Sequence, residues 1–176
     1  MPTGTGWESM WAAGLRPGQA FDCGQCEPAF ADLLKGGLAN GGGRRALVPG
    51  CGRGYAVAAL ALAGYQATGL EIAPTAVASA SSYLRSQPGI DGRWEILEAD
   101  FFAHAPPQRY DLIYDCTFLC AIQPEQRVAW SEQMTRLLSD AEHAELVTLI
   151  FPVKDPAFTG GPPFCMSPAL VRGLLE

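Results

Sequence analysis

At 176 residues, 48% of them apolar and 17% charged, the chain carries enough hydrophobic material for one globular domain and too much for a disordered segment. Twelve Lys and Arg against eighteen Asp and Glu leave a net charge of −6, and the basic residues stand singly apart from Arg44-Arg45, so no clustered basic face is expected to meet a nucleic acid backbone. No apolar run reaches the roughly 18 residues of a membrane span, and residues 1–6 have neither the basic start nor the apolar stretch of a signal peptide, so the expectation is a cytoplasmic protein with no membrane and no nucleic acid partner.

Taken in chain order, the sequence predicts a short helix around Trp7 to Ala13 and another near Ala29 to Leu34. Between them, Cys23-x-x-Cys26 is a spacing with a mechanism, either half a zinc site or a redox pair. No second C-x-x-C follows, His104 and His143 share no ligand spacing with it, and the Gly- and Pro-containing loop does not join a strand to the helix it caps. No metal is therefore expected. Cys51, Cys116, Cys120 and Cys165 read as small buried residues of a reduced compartment. Asn40-Gly41-Gly42-Gly43 reads as a flexible joint into a first strand at Ala46 to Val48, followed by a glycine turn and a helix from Tyr55 to Leu62.

A second strand is expected at Gln66 to Glu71, a helix from Pro74 to about Arg85, a third strand at Trp94 to Leu97, and a fourth over Tyr110 to Asp115. A helix from Pro124 to Leu138 and a fifth strand at Glu145 to Phe151 complete the pattern. Strands alternating with helices imply an α/β, doubly wound, mostly parallel sheet covered on both faces. The chain reads as a single domain, 1–176, with a helical cover over 1–40 and the core over 41–176. His104 and His143 are expected at the surface.

Chemistry concentrates at the end of the first strand. Gly50-Cys51-Gly52-Arg53-Gly54 forms a turn that lets backbone approach a ligand closely, and Glu71 follows about 20 residues on, where a carboxylate can accept from both ribose hydroxyls. Two nucleotide-binding layouts share this arrangement. The dinucleotide fingerprint needs G-x-G-x-x-G, whereas the glycines here run G-x-G-x-G; the alternative is the turn of class I S-adenosylmethionine (SAM) methyltransferases. In either layout ligand sits beyond the carboxyl ends of the strands, where Glu71, Asp100 and Asp115 fall.

Further segments carry a family resemblance: Trp7-x3-Trp11, Phe21-Asp22, Leu47 to Gly52, Gly69-Leu70-Glu71-Ile72, Asp100-Phe101-Phe102, Tyr110 to Asp115 continuing to Pro124-Glu125 and Trp130, and Gly160-Gly161-Pro162-Pro163-Phe164. Together they resemble the thiopurine S-methyltransferase family, most closely its plant and fungal thiol and halide methyltransferases. The resemblance implies SAM as methyl donor and a small thiol, bisulfide or halide as acceptor. It implies cofactor-binding roles for Trp7, Trp11, Phe21, Gly50, Gly52, Glu71, Ile72, Asp100, Phe101 and Cys116. Phe21, Phe118 and Phe164 are expected to form an apolar acceptor pocket. Methyl transfer to an already anionic nucleophile needs positioning rather than an acid or base.

The chain departs from the family at Ala56, where an acidic residue is usual, and at Cys116 and Val171, where plant relatives carry Tyr. Glu176 falls in the helix after the fifth strand, so the last two strands of the class I fold are expected to be lacking. A non-catalytic SAM-binding relative and a nicotinamide-binding oxidoreductase stay open as alternatives.

Overall fold

The computed structural model describes residues 4–38, 40–153 and 160–176. Strands β1 (Arg45–Pro49), β2 (Gln66–Glu71), β3 (Trp94–Glu98), β4 (Leu112–Asp115) and β5 (Glu145–Thr148) form one parallel sheet in the order β3-β2-β1-β4-β5. The chain winds outward from β1 to β3, returns to β4 beside β1, and winds the other way to β5. The reversal between β1 and β4 opens a crevice at their carboxyl ends, where α/β sheets of this kind bind ligands.

β1 shows why the sheet is buried on both sides. Ala46 and Val48 pack against Phe30 and Leu34 of α2 (Pro28–Lys35) and Val57, Ala58 and Ala61 of α3 (Tyr55–Leu62). Leu47 points the other way, into a cluster with Trp130, Met134 and Leu137 of α5 (Arg127–Leu137) and Val171 of α6 (Pro168–Leu175). An uninterrupted apolar run is thus what a central parallel strand requires. A third, smaller cluster joins Trp11 of α1 (Gly4–Ala12) to Ala73 and Ala76 at the start of α4 (Pro74–Arg85), seating the N-terminal cover over the sheet's carboxyl end.

Several sequence expectations shift. β4 begins at Leu112, because Tyr110 makes only an isolated parallel bridge to Leu138. β5 stops at Thr148 rather than Phe151: Leu149 still donates to the Asp115 carbonyl at 2.8 Å, but β4 itself ends there. The helix expected from Pro124 starts as a 3₁₀ turn over Pro124–Gln126, and a second such turn, unforeseen, spans Phe101–Ala103. The glycine joint is tied down, with the Gly41 and Gly43 amides donating to Ala63 and Gly64 at 2.8 and 2.9 Å. Of the four cysteines expected to be buried only Cys120 is; Cys51, Cys116 and Cys165 are half-buried. His104 is not a surface residue either, since it is half-buried with Nε2 2.9 Å from the Tyr110 hydroxyl.

Candidate active site

A cavity of about 730 Å³ lies at the carboxyl ends of β1, β2 and β4, within the range of small-molecule sites. Trp7, Trp11, Phe21, Gly50, Gly52, Glu71, Ile72, Asp100, Phe101 and Cys116 all line it. Phe118 does so too, whereas Phe164 does not. The Phe164 amide is held by the Cys120 carbonyl at 2.7 Å, and Pro162 and Pro163 reach the cavity instead.

The glycine turn is built for close approach. Gly50 and Gly52 sit at φ +56° and +53°, where a side chain is strained, and a Cβ on Gly50 would come within 2.6 Å of the Phe118 ring. Glu71, at the tip of β2 and 7% exposed, does more than the sequence suggests. Its Oε2 accepts the Gly52 amide at 3.0 Å, and its Oε1 accepts those of Ile72 and Ala73 at 2.9 and 3.2 Å. One carboxylate thereby fastens the β1 turn to the β2 turn and keeps acceptor capacity on Oε2. Burial raises its pKa, and the Ala73, Gly52 and Ile72 amides pull it part of the way back.

On the far side, Asp100 Oδ1 accepts the Phe102 amide at 2.9 Å, leaving Oδ2 for another donor. Gln133 of α5, buried, donates to the carbonyls of Phe101 and His104 at 2.8 Å each and so fixes the turn that carries the Phe101 ring.

The cover is anchored by Asp22, Arg53 and Glu8, residues to which the sequence alone assigned no anchoring role. Asp22 Oδ1 accepts from the Gly18 and Gly24 amides and the Tyr55 hydroxyl at 3.2, 2.8 and 3.1 Å, while Oδ2 accepts Arg53 Nε at 2.8 Å. Arg53 also donates to the Leu15 carbonyl at 2.9 Å and lies 5.1 Å over the Trp11 ring. Burial pushes the Asp22 pKa up, but Arg53 and the other donors outweigh it and hold the carboxyl below its ordinary value. Glu8 of α1 accepts from both the amide and hydroxyl of Thr75, capping α4, whose own N-cap Ala73 has no side chain able to do so. These bonds hold Trp7 and Trp11 beside Phe21, with ring centroids 5.7 and 6.1 Å from it. The one local signal for them was Asp22 itself, a polar residue directly after Phe21.

Five of the six cysteines, Cys23, Cys26, Cys51, Cys116 and Cys120, also border the cavity. Burial pushes Cys26 and Cys116 up to about 11 and Cys120 to about 12, so all three stay protonated thiols at neutral pH. Among the described residues no group of three or more His, Cys, Asp or Glu side chains is arranged to hold a metal ion, and no helix is long and apolar enough to cross a membrane.

The profile of the thiopurine S-methyltransferase family matches residues 3–176. The chain belongs to the thiopurine S-methyltransferase family. Within it, the chain is 40% identical to a probable thiol methyltransferase 2 of Arabidopsis thaliana, over 92% of this chain and 67% of the relative. It is 37% identical to thiocyanate methyltransferase 1 of the same plant, over 90% and 66%, and 31% identical to the thiopurine S-methyltransferase of Azotobacter vinelandii, over 96% and 80%. The chain spans about two thirds of the length of the plant relatives it matches. Among solved structures, one from work on conversion of a disulfide bond into a thioacetal group during echinomycin biosynthesis matches with a TM-score of 0.62 and 26% identity, over 77% of this chain and 57% of that one. Magnesium protoporphyrin IX methyltransferase of Synechocystis PCC 6803, solved with bound S-adenosylhomocysteine (SAH), matches at 0.54 and 21%, over 62% and 48%. The fold is that of the class I SAM methyltransferases, and the family's methyl donor is SAM.

The cavity suits that donor. A side chain at Gly50 would clash with Phe118, an acidic residue ends β2, a half-engaged carboxylate follows β3, and indole and phenyl rings line the cavity. An adenosine bearing a cationic sulfur calls for such a donor and acceptor set.

Proposed function

We propose that this chain is a SAM-dependent S-methyltransferase acting on a small thiol or thiolate, with bisulfide or a halide as further acceptors. The observation that carries the proposal is the meeting of Glu71, Asp100, the Gly50 turn and the Trp7, Trp11 and Phe21 rings on one cavity at the sheet's reversal point. In the proposed assignment Glu71 takes the ribose hydroxyls, Asp100 Oδ2 the adenine amino group, Ile72 and Phe101 the flanks of the base, and Gly50, Gly52 and Cys116 the methionine portion. When bound, SAM supplies a methyl group on a sulfonium, a carbon already activated for in-line displacement.

The protein's own contribution is alignment and exclusion of water. Phe21 and Phe118 present apolar surface to the acceptor, with Pro162 and Pro163 taking the place expected for Phe164. A desolvated thiolate is the stronger nucleophile, and fixing it against the reacting carbon can supply roughly 7 kcal/mol of the barrier. Cys26, Cys116 and Cys120, held as thiols by burial, do not compete with the acceptor for the methyl group. None of the six cysteines is in a disulfide, which supports a reducing compartment, the cytoplasm, as the place of action.

The test is incubation with methyl-labelled SAM and a panel of aliphatic and aromatic thiols, bisulfide, thiocyanate and iodide. Label appearing in a methyl thioether, with stoichiometric SAH, is the expected result. Saturable SAM binding with no methylated product from any acceptor would instead make the chain a SAM-binding protein.

A further inference from the structure

The chemistry proposed above leaves one buried charge without a task. Asp115, the last residue of β4, is 1% exposed and lies one residue before Cys116 in the cavity wall. Its Oδ1 accepts the amides of Phe118 and Leu119, each at 3.2 Å, and its Oδ2 accepts Nε1 of the wholly buried Trp130 at 2.8 Å. The turn it grips is unusual: Thr117 sits at φ +61°, a left-handed conformation costly for a β-branched residue. Phe118, carried by that turn, lies against Gly50 on one side and the Phe101 ring, 4.9 Å away, on the other. Ala121 and Ile122, a few residues on, line the same cavity, and the Cys120 carbonyl holds the Phe164 amide and with it the Pro162-Pro163 segment.

We infer that Asp115 is a positioning residue for the acceptor: braced on Trp130, its carboxylate holds the 116–119 turn so that Phe118 divides the cofactor turn from the acceptor half of the cavity. The inference rests on the function proposed above. A neutral side chain does not reproduce the arrangement, because three N–H donors converge on the two oxygens and only a carboxylate is acceptor-only at both. Burial raises this carboxyl to about 6, with the Leu119, Trp130 and Phe118 donors opposing the rise. Protonation relieves the buried charge but turns one oxygen into a donor facing another donor. The titratable neighbours are the Cys116 and Cys120 thiols, with Arg127 of α5 acting on Cys120. Both thiols titrate near 11 to 12, so Asp115 is the member of this group that changes charge between pH 5 and 7.

Asp115→Asn keeps the shape and the Oδ1 acceptor but turns an amide N–H2 toward the Trp130 N–H; Asp115→Asn/Trp130→Phe removes that facing donor, and Trp130→Phe alone is the control. With SAM saturating, Asp115→Asn is expected to raise KM for the thiol at least tenfold while the SAM Kd stays within twofold, and the double variant to recover KM to within threefold of Trp130→Phe. The ratio of kcat/KM between wild type and the double variant, in which the acceptor's own titration cancels, is expected to fall about tenfold from pH 7 to pH 5. Equal losses in SAM Kd and thiol KM, no recovery in the double variant, or a pH-independent ratio would overturn the inference. If SAM binds but no acceptor turns over, the proposed function fails on its own, and protection of the Phe118 and Leu119 amides from hydrogen exchange decides the clamp. Protection lost below pH 6 with Asp115 present and retained in the double variant supports it; pH-independent protection overturns it.

Discussion

Glu71 is the residue on which the site turns, since one carboxylate closes three backbone amides and faces the cavity. Glu71→Ala leaves those amides unpaired and removes the carboxylate proposed to take the ribose hydroxyls, so SAM affinity is expected to drop at least tenfold, about 1.4 kcal/mol or more, as read by calorimetric titration. The cavity cysteines allow an independent check on the residue assignments. Cys23 is exposed, whereas burial holds Cys116 near 11, so iodoacetamide at pH 7.5 is expected to label Cys23 first. SAM is expected to slow labelling of Cys116 further, which peptide mass spectrometry reads directly.

At the scale of elements, α1 and the loop before α2 act as a cover fastened by Asp22, Arg53 and Glu8. Arg53→Met removes a guanidinium that pairs with a carboxylate almost fully shielded from solvent, so a loss of about 2 to 3 kcal/mol in stability and a several-fold rise in SAM Kd are expected. Thermal unfolding and titration check the two parts. The strand, turn and acidic residue from Ala46 to Glu71 were legible in the sequence because glycine spacing and apolar run length are local signals. The fastening of the cover was not: Asp22 meets Arg53 across 31 positions and Glu8 meets Thr75 across 67, choices made only by tertiary packing. Phe164 misled for the same reason, since its backbone bond to Cys120 turns two prolines to the cavity in its place. β5 was overrun because an apolar run from Glu145 to Phe151 marks burial, while the strand's length is set by the end of its partner β4.

The whole molecule couples the sheet's reversal point to an acid-sensitive core. Asp115 has a folded pKa raised from 3.8 to about 6, so its contribution to stability is fully present below about pH 4 and is lost as pH rises through 6. Glu71, also raised, acts in the same direction, while Asp22, lowered, stabilises at neutral pH and loses its contribution in acid. Urea unfolding from pH 4 to 7 is therefore expected to show wild type losing on the order of 3 kcal/mol relative to Asp115→Asn between pH 4 and 6, with little change above. Global stability and the local turn thus respond oppositely to acid, the first gaining from a neutral Asp115 and the second losing its clamp. All of this depends on what the cavity holds, and isothermal titration of the 176-residue protein with SAM tests that most directly, with Glu71→Ala and NAD as comparisons. Saturable one-to-one binding of SAM, weakened at least tenfold by the substitution and absent for NAD, is the result expected here; a folded protein that takes up no SAM, or binds NAD in its place, would contradict it.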